Sequence, residues 1–252
     1  MSDPIDAPPL RVLIYGAGAI GQYVGGMLAT GGAAVHLIGR PPLVAALAGA
    51  PLKVIDLDAN QRQAQLTASA AIPEQRDFDL AILTVKGPAT AAAAADLGAH
   101  LPAGTPVLSF QNGVDNVARI RAAAPALVAL AGMVPYNVVQ IAPGQVRRTS
   151  DGSLMCARHP ITERLQAVAL RASLALTLRD DMRAVQWGKL LLNLNNPLNA
   201  LSGLPLRQQL LDRRYRCLLA ELQQEALAVL ADAGEPVAQV TPLPPRWLPT
   251  LL

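Results

Sequence analysis

The sequence predicts an α/β protein, an N-terminal Rossmann-type doubly wound sheet followed by a second, all-helical domain. Three observations predict it. A β-forming run, Leu10 to Tyr15, feeds directly into Gly16-Ala-Gly18-Ala19-Ile20-Gly21 and then into a helical pattern. Strand and helix signals go on alternating to about residue 177, the pattern of a parallel sheet with crossover helices. Beyond Asp181 only helical periodicity is left. The expected division is a leader over 1–9, a dinucleotide-binding domain over 10–178 and a helical substrate or dimerisation domain over 179–252.

Met1 to Pro9 is short, acidic at Asp3 and Asp6 and broken by prolines, so it reads as a disordered leader. The first strand then meets its glycine turn. Gly16 permits the sharp turn, Gly18 lets backbone approach a pyrophosphate, and Gly21 lets helix and strand pack closely. Ala19 and Ile20 open the helix, whose free N–H groups and positive dipole end suit phosphates. Ile20, Val24, Met27 and Leu28 give that helix its apolar face.

The second strand, Ala34 to Ile38, ends at Gly39-Arg40. An NAD site usually has a carboxylate here for the ribose 2′-hydroxyl. No Asp or Glu appears until Asp56, and Arg40 can pair with a 2′-phosphate and stack on adenine. NADP(H) is therefore the expected cofactor. Residues 52–71 suggest a small hairpin. Leu80 to Val85 is a buried strand ending at Lys86, and Pro88 to Leu97 is an alanine-rich helix. Pro106 to Phe110 is a strand ending at Gln111-Asn112-Gly113, followed by a helix over Val114 to Ala123 and a strand over Leu127 to Val134. Residues 136–156 are expected as extra strands covering one sheet edge. Ligands bind such sheets at the carboxyl ends of the strands, where Gly16, Arg40, Lys86 and Asn112 all fall.

The second half opens with an expected helix over Met182 to Leu201. At about 100° per residue, Lys189, Asn193 and Asn196 share one face, at i, i+4 and i+7. Leu190, Leu191, Leu194, Leu198 and Leu201 form the opposite, buried side. Buried amides and a lysine need polar company, and a substrate can supply it. Pro197 should kink the helix by removing a hydrogen bond to Asn193. A second helix is expected over Arg207 to Ala233, stopped by Gly234. The proline-rich stretch after Pro236 excludes another long helix.

Composition excludes several classes. A net charge of +3 without basic blocks argues against nucleic acid. Cys156 and Cys217 lack metal or redox spacing, and His36, His100 and His159 form no metal motif, so no metal is expected. His36 reads as a structural histidine. The uncharged stretch Ala122 to Val146 is interrupted by Pro125, Pro135 and Pro143, which argues against a membrane span. No signal peptide is visible, so a cytoplasmic enzyme with reduced thiols is expected.

Taken together, the glycine turn, Arg40, Thr84-Val85-Lys86, Gln111-Asn112-Gly113 and Trp187-Gly188-Lys189 with Asn193 and Asn196-Pro197-Leu198 resemble the ketopantoate reductase (2-dehydropantoate 2-reductase) family over about residues 10–245. The resemblance implies NADPH-dependent reduction of ketopantoate to pantoate, in pantothenate and coenzyme A synthesis. It implies Lys189 as general acid, Asn193 and Asn196 as substrate ligands, and Asn112 and Lys86 beside the nicotinamide and substrate. It also implies an active cleft between two domains, and a homodimer is possible in such a family. Two departures stand out. The family's second helix asparagine commonly lies eight residues after the lysine, whereas Asn196 lies seven after Lys189. The family also has later helices carrying a serine and a glutamate, to which no residue here is assigned; the chain reads as C-terminally shortened. Cofactor binding with weak or undetectable ketopantoate turnover, and a tendency to oligomerise, are therefore expected. The alternatives are a reductase of another 2-oxo acid, or an NADP-binding remnant without catalysis.

Overall fold

The computed structural model describes residues 8–74 and 77–251. The expected leader therefore lies outside the described residues except for Pro8 and Pro9. Within the described residues the chain divides into two compact units, one of 8–111 with 115–180 and one of 112–114 with 181–251. None of the described helices is long and apolar enough to cross a membrane.

The first unit is built on β1 (Arg11–Tyr15), α1 (Ala19–Thr30), β2 (Ala34–Ile38), α2 (Pro41–Leu47), β3 (Leu52–Ile55), β4 (Gln61–Ala64), β5 (Thr67–Ser69) and β6 (Leu80–Leu83). It continues through α3 (Thr90–His100), β7 (Pro106–Ser109), α4 (Asn116–Ala123), β8 (Val128–Met133), β9 (Val138–Ala142), β10 (Gln145–Arg148), β11 (Leu154–Ala157), α5 (Pro160–Arg171) and β12 (Leu176–Arg179). The main sheet has eight strands in the order β12-β11-β8-β7-β6-β1-β2-β5. All its pairings are parallel except β8 with β11.

The chain winds outward from β1 through β2 in one direction and from β6 in the other. The strand order therefore reverses between β1 and β6. That reversal leaves a crevice at the carboxyl ends of these two strands, where open α/β sheets bind ligands. β1 is covered on both faces. Val12 and Ile14 join one core with Val24 and Leu28 of α1, while Leu13 joins another with Leu83 and Leu97. Each such side chain stabilises the fold by roughly 1.5–3 kcal/mol.

Four strands form a second sheet, β4-β3-β10-β9. α1 is sandwiched between the two sheets, which explains its glycine pair. A Cβ on Gly25 would lie 2.9 Å from Leu37 Cδ2, and one on Gly26 2.6 Å from Val54 Cγ1. The expected hairpin in 52–71 is present as β3 and β4. The expectation for 136–156 needs correction. β9 and β10 do not cover the main sheet; β10 pairs with β3 and extends the small sheet. Only β11 continues the main one.

α5 escapes the usual sequence signals because its N-cap is His159, whose Nδ1 accepts from Ile161 N while Thr162 Oγ1 accepts from His159 N. Ser, Thr, Asp and Asn are the caps a reader looks for. His36 is structural. Its two ring nitrogens are each 2.7 Å from a hydroxyl, those of Thr67 and Ser69, so it clips β5 to β2.

The second unit is helical: α6 (Met182–Asn193), α7 (Asn195–Ser202), α8 (Leu206–Leu211) and α9 (Arg213–Asp232), with a 3₁₀ segment at Pro245–Leu251. Two expected helices are thus four. The first is interrupted at Leu194, between Asn193 and Pro197, where the proline was expected to disturb it. Pro197 falls in the first turn of α7, where its missing N–H is harmless, and it has no N–H for the Asn193 carbonyl. Asn196 belongs to α7, and Leu194 between the two helices keeps right-handed helical dihedrals, φ −58° and ψ −24°. Leu201, expected on the buried side, is 87% exposed, whereas Leu191 and Leu198 are buried as expected. The second long helix breaks at Asp212, whose carboxylate accepts from Arg214 N and caps α9.

Candidate active site

The first unit assembles its part of the site from strand ends. β1 stops at Tyr15, and Gly16 turns the chain at φ +109°, a conformation that L side chains resist. A Cβ at Gly16 would stand 2.7 Å from the Val85 backbone nitrogen. At Gly21 it would stand 2.6 Å from Thr84 Oγ1. The Thr84 hydroxyl donates to Gly16 O at 2.6 Å, locking the turn onto the end of β6. Gly18 caps α1 with no side chain, and a Cβ there would meet nothing within 4 Å. The helix N-terminus, with Ala19 and Ile20 in its first turn and no acidic residue, is open to an anion.

Beside this turn lies a cavity of about 400 Å³ lined by Gly16, Gly18, Arg40, Ala70, Lys86 and Gln140, among others. Four of the sequence-predicted residues therefore meet in one place. Arg40 and Lys86 are exposed, and their side chains make no hydrogen bond or ion pair with another described residue. Tyr15 also lines the cavity, but its hydroxyl is committed to Asp96 at 2.7 Å. Burial first, and that bond second, push its phenol up to about 12. The glycine cradle and two uncompensated cations fit a dinucleotide with phosphates. Gln140 escaped the sequence reading. It arrives from β9 of the small sheet, and no local motif announces it. A larger cavity of about 690 Å³ opens beside His36, Thr67 and Phe78, at the amino-terminal ends of β1, β2 and β5. Strands of this sheet present ligands at their other ends, so it stands apart from the site.

In the second unit Asp181 caps α6 by accepting from Ala184 N at 3.0 Å. Trp187-Gly188-Lys189 then has a clear local logic. The Trp187 indole donates to Glu235 Oε2 at 3.0 Å, and Arg183 pairs with the same carboxylate. Arg183 holds the Glu235 carboxyl below its usual range, with Trp187 assisting. The chain beyond Glu235 runs back along α6, with Ala238 N donating to Ala184 O at 3.0 Å. Gly188 has no side chain because Ala238 O packs against the spot that a Cβ would occupy.

Lys189 follows, half-buried, and burial lowers its pKa from the ordinary 10.5. Asn193 stands one turn on, at i+4, and its Nδ2 donates to Asn112 Oδ1 at 3.4 Å. The structure thus gathers Lys189, Asn193 and Asn112 in one unit. It does not add Asn196, which is exposed in α7. The neighbouring Asn195 is held by Gln209 Nε2 at 3.0 Å. Among the described residues no cluster of His, Cys, Asp and Glu could hold a metal ion.

Comparisons with known proteins agree with this anatomy. Residues 12–160 match the family model described as ketopantoate reductase PanE/ApbA, and residues 181–245 match the model of its C-terminal region. A 2-dehydropantoate 2-reductase of Pyrococcus abyssi is 30% identical over 198 residues, covering 76% of this chain and 64% of that protein. The chain thus spans less than two-thirds of that relative. A 2-dehydropantoate 2-reductase of Mesorhizobium japonicum is 29% identical, covering 89% of this chain and 77% of its own length. A crystal structure of a PanE/ApbA family ketopantoate reductase from Ralstonia eutropha JMP134 superposes with a TM-score of 0.84 at 30% identity, covering 96% of this chain and 81% of that one. Matched along both of its units, the chain belongs to the ketopantoate reductase PanE/ApbA family.

Proposed function

We propose that this protein reduces ketopantoate to pantoate with NADPH, as a cytoplasmic enzyme of pantothenate synthesis. The observation that carries the reading is the trio Lys189, Asn193 and Asn112, brought together in a chain whose other unit has the glycine cradle. In this reading unit 8–111 with 115–180 is the cofactor domain and unit 112–114 with 181–251 the substrate domain. Gly16, Gly18, Ala19, Ile20 and Gly21 hold the pyrophosphate, and Arg40 pairs with the 2′-phosphate.

The bound nicotinamide supplies the hydride that reduces the ketone carbon. As negative charge grows on the carbonyl oxygen, Lys189 stabilises it and donates the proton that completes the alcohol. Its lowered pKa makes it a readier proton donor near neutral pH than an exposed lysine. The lysine regains its proton from solvent. Asn193 and Asn112 bond the hydroxyl and carboxylate oxygens of the substrate without adding charge. Lys86 adds positive charge beside the cofactor.

A second reading is a reductase of another 2-oxo acid. The spacing of Asn196, seven residues after Lys189 rather than eight, favours it. Single-turnover NADPH oxidation, with high enzyme and a panel of 2-oxo acids, separates the two. Ketopantoate reacts fastest if the first reading holds. A different branched 2-oxo acid reacting faster selects the second, and no oxidation with any of them overturns both.

A further inference from the structure

We propose that Gln111 is a positioning residue that sets Lys86 for the cofactor, an inference that rests on the functional reading above. Gln111 is 7% exposed, and its amide is fully engaged within one unit. Its Oε1 accepts from Ser109 Oγ at 2.9 Å. Its Nε2 donates to Val85 O at 2.8 Å and to Thr90 Oγ1 at 2.8 Å. Thr90 in turn donates to Asn116 Oδ1 at 3.1 Å, with both residues buried. One amide therefore joins the end of β7, the loop after β6, the first residue of α3 and the first residue of α4.

The bond to Val85 O matters most. Val85 lies between two constraints: its backbone nitrogen fills the space where a Cβ on Gly16 would stand, and its carbonyl is held by Gln111. The next residue is Lys86, which lines the cavity and whose side chain has no partner among the described residues. An unpartnered lysine on a loose loop would spread its charge over many positions. The amide of Gln111 fixes the backbone from which that charge is presented. A satisfied, buried network of this kind is stiff, and its loss leaves a carbonyl without a donor.

A double-mutant cycle on the full chain, read as the Kd for NADPH, tests this. Lys86→Ala is expected to weaken binding on the order of tenfold. Gln111→Met removes both donated bonds at similar volume and is expected to weaken it by about threefold to tenfold. In the Lys86→Ala background the same change should matter by less than about twofold, because the charge it positions is gone. Equal fold-changes in both backgrounds would overturn the inference and leave a purely structural role. Lys86→Ala with unaltered affinity would instead remove the reading on which it rests. Should Gln111→Met fail to fold, Gln111→Glu keeps the Ser109 bond and the size but cannot donate to Val85 O. That variant must also lose affinity only when Lys86 is present; wild-type affinity overturns the proposal.

Discussion

The two units carry their chemistry in different ways. In the first, the site is written mostly in backbone: a positive-φ glycine, a side-chain-free helix cap and strand ends that halt at one reversal of strand order. In the second the proposed site lies in side chains: Lys189 and Asn193 on one helix, with Asn112 bonded to Asn193. A backbone site tolerates changes in most surrounding side chains but not a Cβ in the cradle. A side-chain site depends on helix register instead.

The largest expected effect lies in the second unit. Lys189→Ala should lower the rate of the chemical step by about 10²–10⁴-fold while leaving NADPH affinity near its original value, measured by titration. A comparable loss of affinity would show that the units do not divide the labour as described.

In the first unit, Gly16→Ala forces a side chain into a left-handed turn against Val85. It should destabilise the unit by about 1–3 kcal/mol and weaken NADPH binding, seen in thermal unfolding and titration together. Arg40→Glu should weaken NADPH binding by about 1.5–3 kcal/mol with little change in NADH binding. Equal affinities of the unaltered protein for the two cofactors would refute the role given to Arg40.

The smallest effect is in pH dependence. Burial lowers the folded-state pKa of Lys189 below the 10.5 of an unfolded lysine. The folded form therefore binds this proton less well, and the group opposes folding at neutral pH. That opposition is relieved as pH rises through the folded value toward 10.5. The proposed catalysis would run the other way, since a general acid must carry its proton. The rate should fall on an alkaline limb centred below 10.5, and Lys189→Ala should abolish that limb.

The contrast also explains what the sequence reveals. Gly16 to Gly21, Arg40 and Lys86 were legible because a backbone site needs glycine at fixed spacing and strand ends that hydropathy marks. The helix interruption at Leu194 was legible only as a kink expected from Pro197. Lys189 to Leu201 has continuous helical periodicity, and a proline at 197 marks the disturbance only to within a turn. Gln140 was invisible because β9 joins the small sheet through β10, a long-range pairing with no local signature. The small sheet itself was half-read: its hairpin at β3 and β4 follows from local pattern, whereas its partnership with β10 spans most of the unit.

One measurement tests the central claim most directly: single-turnover NADPH oxidation after mixing NADPH-saturated protein with ketopantoate, for the unaltered chain and Lys189→Ala side by side. The account predicts oxidation by the unaltered chain and a rate lower by about 10²–10⁴-fold in the variant, with both proteins equally saturated. Equal rates in the two would contradict it.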